Sequence, residues 1–240
     1  MKTKNFKRVM VWELPVRIFH WLNVLAIIVL VLTGFLIANP PAILSSMEAT
    51  NLHSFGIIRV IHFIAAYVFF FVMILRLYWA FVGNQFSHWR AFWPFNKKTW
   101  NNFWHVLKID IFLMNEKEED VSKLSIGHNS VAKLSYIAMF FLALIMVFTG
   151  FGLYSDMASW WLPKLFGWVP AFLGGDIFTR QIHHITMWTF IFFSMIHVYL
   201  VLYHDWLEGR GEVSSMFGGY KFVRKIRFKK SDMEESLENK

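Results

Sequence analysis

Not one of the 240 residues is cysteine. That absence excludes disulfides and any iron–sulfur cluster held by the chain's own thiolates, and it leaves no thiolate to bind nickel. Charge is scarce as well: Asp, Glu, Lys and Arg make up 17% of the chain, while 56% of it is hydrophobic. Such a balance is too apolar for an ordinary soluble domain. Four runs account for it, at residues 18–38, 57–82, 134–153 and 182–203, each long enough to cross a bilayer. The expected fold class is all-α, a single integral membrane four-helix bundle occupying residues 1–240 and ending in a basic tail from residue 204.

Lys and Arg are nearly missing from two of the connections. Residues 39–56 contain neither, and residues 154–179 contain only Lys164. The N-terminal segment, the connection 83–129 and the tail are rich in them, which predicts both termini and the middle connection on the cytoplasmic side. The net charge of +8 then faces anionic lipid rather than nucleic acid. The first apolar run is too long for a signal-peptide core and lacks a small-residue cleavage site, so it is expected to stay as the first membrane helix. In the middle connection, apolar residues at 100, 103, 104, 107, 111 and 114 make one helical stripe, the pattern of a helix lying on the membrane surface. Trp160, Trp161 and Trp168, with Pro163 and Pro170, mark residues 154–179 as an interfacial aromatic segment and a docking surface.

The last run, free of Asp, Glu, Lys and Arg from residue 182 to residue 203, carries His183, His184 and His197. Ionisable groups at membrane depth are costly and point to function. His183 and His197 return to within about 40° of one helical face, about 21 Å apart along the axis, whereas His184 lies on roughly the opposite face. The first run has His20 near its start and the second has His62. The bland alternative is a set of histidines hydrogen-bonded inside a bundle.

A partial internal duplication pairs them. V-x-T-G-F closes the first run at residues 31–35 and the third at 147–151, and R-x-I-H-x-I opens the second at 59–64 and the fourth at 180–185. Parallel repeats of this kind are known in membrane proteins. They make His62 and His183 equivalent, both near the outer face. Depth pairs the other two, His20 with His197, near the inner face. Two imidazole pairs at two depths describe two bis-histidine haems, with no coordination position open for oxygen chemistry. Zinc wants four tetrahedral ligands at one depth, which this arrangement does not offer. Gly34, Gly150 and Gly152 could make room for a porphyrin. Arg59 and Arg180 on the outer side, and Arg17 and Arg76 on the inner side, could meet its propionates.

At these residues the chain resembles the b-type cytochrome subunit of membrane-bound nickel–iron hydrogenases. The likeness is carried by Leu14-Pro-Val-Arg-Ile-Phe-His-Trp21, by Ile58-Arg-Val-Ile-His-Phe63 and by Arg76-Leu-Tyr-Trp-Ala-Phe-Val-Gly-Asn84. It continues in Gly127-His-Asn129, Thr149-Gly-Phe-Gly-Leu-Tyr-Ser155, His183 with Met187-Trp188, His197-Val-Tyr199 and Ser215-Met-Phe-Gly-Gly-Tyr220. The resemblance implies two haems b, with His62 and His183 as axial ligands of the outer and His20 and His197 of the inner. It implies partners as well: a hydrogenase small subunit bearing iron–sulfur clusters, its large subunit, and a quinone that receives the electrons. A second possibility is the cytochrome b of another dehydrogenase, for formate or thiosulfate, or a cytochrome acting alone with quinone. A third, from a different class, is a haem-free membrane anchor or a metal transporter whose histidines are polar glue or ion ligands. Glu13, His128 and Tyr136 are candidate proton carriers beside a quinone.

Overall fold

The computed structural model describes residues 6–40, 53–93, 130–208 and 211–224. The expected surface helix at residues 100–114, the segment containing His128, and the tail beyond residue 224 lie outside them. The four apolar runs form long helices: α1 (Leu14–Ala38), α2 (Ser54–Val82), α4 (Ser130–Tyr154) and α7 (Asp176–Glu208). Each carries 25 to 28 residues apolar enough to cross a membrane. At about 1.5 Å per residue that exceeds the roughly 30 Å hydrocarbon core, and within lipid a helix satisfies its own backbone. Pro15 sits in the first turn of α1, where a missing N–H leaves no bond unmade, and Asn39-Pro40 follows its last residue. Large apolar side chains clothe the outside, among them Leu25, Leu32, Phe141 and Ile185. The chain is an integral membrane protein.

The chain divides into two compact units. One takes its residues from Ile18–Tyr78 and Met139–Ile191, so all four long helices contribute to it. Its core is Ala26, Phe69, Ala143, Val147, Phe151 and Phe190. Ala26 and Ala143 are buried in it among the aromatic and aliphatic side chains. Phe151 fills the space beside Tyr67 and Phe70, with ring centroids 5.3 and 5.2 Å away. After α4 come a 3₁₀ turn (Ser155–Met157), α5 (Trp161–Lys164) and α6 (Trp168–Phe172). This segment buries Leu162, Pro163 and Val169, packs Phe166 edge-on to Phe148 and tilted against Phe151, and leaves Trp161, Trp168 and Phe172 exposed. Trp160 donates to the Tyr67 hydroxyl at 2.9 Å. One apolar face packed and one aromatic face open is the amphipathic form its tryptophans led us to expect.

The other unit takes its residues from Met1–Arg17, Trp79–Ala138 and Phe192–Lys240. It holds what an all-helical expectation left out: β1 (Phe6–Met10) pairs antiparallel with β2 (Tyr220–Arg224), Phe6 opposite Arg224 and Met10 opposite Tyr220. The pairing extends past the strands, since the Val11 and Trp12 N–H groups both donate to the Gly219 carbonyl, at 2.9 and 3.1 Å. Gly219 ends α8 (Glu212–Gly218) at φ +85°, and a Cβ there would lie 2.6 Å from the Trp12 carbonyl oxygen. Only glycine fits. Trp12 Nε1 donates to Ser215 Oγ at 3.2 Å, and Lys221 meets Glu212 at 2.5 Å. One oxygen of Glu13 accepts from both Trp79 Nε1 and the Asn84 N–H, each at 2.9 Å. The Asn84 side chain donates to Val11 and caps the turn that follows, before α3 (Trp89–Phe92). The motifs at residues 76–84 and 215–220 therefore knit the ends of α1 and α2 to the hairpin, and Glu13 serves as a structural clasp.

Candidate functional site

A cavity of about 760 Å³ opens among the four long helices of the first unit, a volume within the range of ligand and cofactor sites. Its walls are mainly aliphatic and aromatic, including Ile27, Leu30, Phe63, Phe69, Met146, Met187 and Phe190. Two of its polar groups are His62 from α2 and His183 from α7, the residues that the duplication makes equivalent.

The two imidazoles are held alike. His62 Nδ1 lies 2.8 Å from Thr33 Oγ1 on α1, and His183 Nδ1 lies 2.8 Å from Thr149 Oγ1 on α4. Each threonine is followed by glycine. A Cβ on Gly34 would come 3.7 Å from His62 Cε1, and one on Gly150 would come 3.2 Å from His183 Cε1. At Gly150 the missing Cβ leaves the His183 ring its close approach, whereas at Gly34 a Cβ would meet His62 at an ordinary contact distance. V-x-T-G-F thus seats the histidine of R-x-I-H-x-I in both halves of the chain. The two threonines were not singled out from sequence, although the repeated motif that contains them was the signal.

Arg59 and Arg180 also line the cavity. The Arg59 guanidinium touches Met157 Sδ and lies 6.0 Å from the Phe63 ring centroid. His184 lines the cavity too, but its Nε2 accepts from Trp188 Nε1 at 3.2 Å and Phe35 packs edge-on to its ring. His53 stands immediately before α2, exposed, with its carbonyl accepting from the Ile57 N–H. Of the other expected pair, His20 belongs to α1 in the first unit and packs edge-on to Trp21, with ring centroids 5.2 Å apart. His197 belongs to the second unit, where it stacks on Phe193 at 5.7 Å with the planes 9° apart. Of the two cations expected on the inner side, Arg17 donates to the Phe217 carbonyl and Arg76 lies within α2. Among the described residues, no three His, Cys, Asp or Glu side chains gather closely enough to hold a metal ion.

Helices of membrane length around an apolar cavity with an imidazole from each half of the chain define a membrane protein built for a large, mostly apolar, metal-bearing cofactor. The chain belongs to the prokaryotic cytochrome b561 family, whose model matches residues 11–219. It is 36% identical over 222 residues to a probable Ni/Fe-hydrogenase B-type cytochrome subunit of Cupriavidus necator, covering 91% of this chain and 88% of that one. It is 35% identical over 232 residues to the probable Ni/Fe-hydrogenase 1 B-type cytochrome subunit of Escherichia coli K12, covering 92% and 93%. A probable Ni/Fe-hydrogenase B-type cytochrome subunit of Rhodobacter capsulatus is 36% identical over 224 residues, covering 91% and 83%. Membership in a family of b-type cytochromes implies haem b as the cofactor. The cavity fits that group: it is apolar, it is lined by three imidazoles and two arginines, and a bare glycine stands where the His183 ring comes close.

Proposed function

We propose that this chain is the diheme b-type cytochrome subunit of a membrane-bound nickel–iron hydrogenase, anchoring the enzyme at the periplasmic face and delivering its electrons to quinone. The observation that carries this reading is the placement of His62 and His183, from repeat-related positions, on one apolar cavity. Haem b supplies reversible one-electron exchange, and two imidazole ligands suit it because no coordination position is left open. His62 and His183 would ligate one haem, and Arg59 and Arg180 at the same cavity would meet its propionates. His20 and His197 would ligate a second haem nearer the cytoplasmic face. The Lys/Arg bias of the connections supports cytoplasmic termini in the inner membrane. The names of the relatives support a reading in which hydrogen chemistry belongs to partner subunits, a small one with iron–sulfur clusters and a large one, and this chain has no cysteine to hold nickel.

The test is purification of the tagged chain from membranes, with reduced-minus-oxidised visible spectra and identification of what accompanies it. Hydrogenase small and large subunits should co-purify, and reduction by hydrogen should bring up a low-spin b-type band. His62→Ala and His183→Ala should each remove the same part of that band. Co-purification of a formate or thiosulfate dehydrogenase instead would reassign the partner, and a spectrum without haem would end the proposal.

A further inference from the structure

Thr33 and Thr149 do more than fill space between helices. Each hydroxyl has one proton, and in each case a backbone carbonyl of its own helix takes it. Thr33 Oγ1 lies 2.6 Å from the Val29 oxygen and 3.3 Å from that of Leu30, while Thr149 Oγ1 lies 2.6 Å from the Ile145 oxygen and 3.4 Å from that of Met146. A carbonyl can only accept, so two oxygens at 2.6 Å require the hydroxyl proton between them. The hydroxyl therefore meets the histidine with a lone pair, and the hydrogen bond at 2.8 Å must be donated by the ring, from Nδ1–H to Oγ1. A neutral imidazole protonated at Nδ1 has its lone pair on Nε2. Both histidines are thereby fixed in the one tautomer that can bind a metal through Nε2.

We propose that Thr33 and Thr149 are a matched pair of positioning residues that lock the tautomer and orientation of the two axial histidines and, by accepting from Nδ1–H, lower the reduction potential of the haem between them. This rests on the reading of His62 and His183 as ligands of one haem. A hydrogen bond accepted from Nδ1–H draws the proton away from the ring and makes Nε2 a stronger donor, and a stronger donor stabilises the ferric ion over the ferrous. The geometry isolates the effect well. Thr33 and Thr149 are 7% and 2% exposed, so water does not stand in for a lost hydroxyl. The two bonds act on opposite axial ligands and should add. The device occurs twice, once in each half of the chain.

The experiment is a potentiometric titration of the purified complex, followed in the visible band, for Thr33→Val, Thr149→Val, the double variant, and Thr33→Ser with Thr149→Ser. Valine keeps the shape and removes the oxygen, whereas serine keeps the oxygen. We expect one of the haem components to move to more positive potential in each valine variant. The expected shift is at most about tenfold in the ferric-to-ferrous ratio, about 59 mV for a one-electron couple, and larger in the double variant. Serine should restore the native potential. Loss of that haem in the valine variants, with retention in the serine variants, supports the proposal equally, because only the hydroxyl distinguishes them. Native potentials in both valine variants overturn it, as does a serine variant that behaves like valine. His62→Ala and His183→Ala separate the two levels of inference: if they leave both haem components intact, the ligand assignment fails, whereas loss of one component there with unmoved valine variants condemns the threonine role alone.

Discussion

Gly34 and Gly150 occupy the same place in the two halves of the chain, yet a methyl group added at each meets different neighbours. At Gly34 it would find Met187 Sδ at 3.6 Å and His62 Cε1 at 3.7 Å, both ordinary van der Waals separations. At Gly150 it would find His183 Cε1 at 3.2 Å, inside the roughly 3.5–4.0 Å optimum for carbon pairs. Replacing either glycine by alanine gives the helix the same propensity gain, up to about 1 kcal/mol, so that term cancels in the comparison. What differs is overpacking. An extra carbon forced into a filled site costs about 1–3 kcal/mol, and here the atom that must yield belongs to a ring whose Nδ1 lies 2.8 Å from Thr149 Oγ1. If that cost falls on cofactor binding, haem retention should weaken roughly 5- to 150-fold in Gly150→Ala, while Gly34→Ala stays close to the parent. The assay is loss of the low-spin b band to excess apomyoglobin as haem acceptor, timed in detergent for both variants. Equal rates for the two would refute the reasoning, because the clearance at His183 would then have no consequence.

Three further outcomes follow from the same geometry. Gly219→Ala adds a Cβ 2.6 Å from the Trp12 carbonyl at φ +85°, so it should cost more than about 2 kcal/mol and lower the thermal midpoint followed by circular dichroism, with the visible haem b spectrum unchanged. An unchanged midpoint would show that the hairpin is not held at Gly219. Glu13→Ala leaves Trp79 Nε1 and the Asn84 N–H without their shared acceptor, at about 1–3 kcal/mol for each donor left buried. Glu13→Gln keeps an oxygen for both and should lose much less, and equal losses would mean that the charge, not the acceptor, matters. Trp161→Ser and Trp168→Ser change only exposed rings and should leave the haem spectrum and thermal midpoint intact while weakening retention in vesicles or in the complex.

Much of the fold is legible in the chain because lipid imposes a length: runs of apolar residues longer than about 20 can be satisfied only as helices. The boundaries are less so. α7 begins at Asp176 and runs to Glu208, beyond the apolar stretch at both ends, since a helix does not stop where hydrophobicity does. The hairpin of residues 6–10 with 220–224 is not readable, because the partners lie more than 200 positions apart and no turn sequence joins them. At the site, His62 and His183, which the repeat makes equivalent, both line one cavity, and V-x-T-G-F is visible in the sequence as a likeness of helix ends. That its threonine would seat the histidine could be found only from geometry. Glu13, read from sequence as a candidate proton carrier, is engaged by Trp79 and Asn84, a bond pattern that joins segments 66 and 71 positions apart.

The central claim, that four imidazoles clamp two porphyrin irons at two levels of the membrane, is tested most directly by counting haem b per chain in the purified protein. The account predicts two in the parent, one in His62→Ala and one in His197→Ala, and none when both are replaced. A parent with a single haem, or a count that neither substitution lowers, would contradict it.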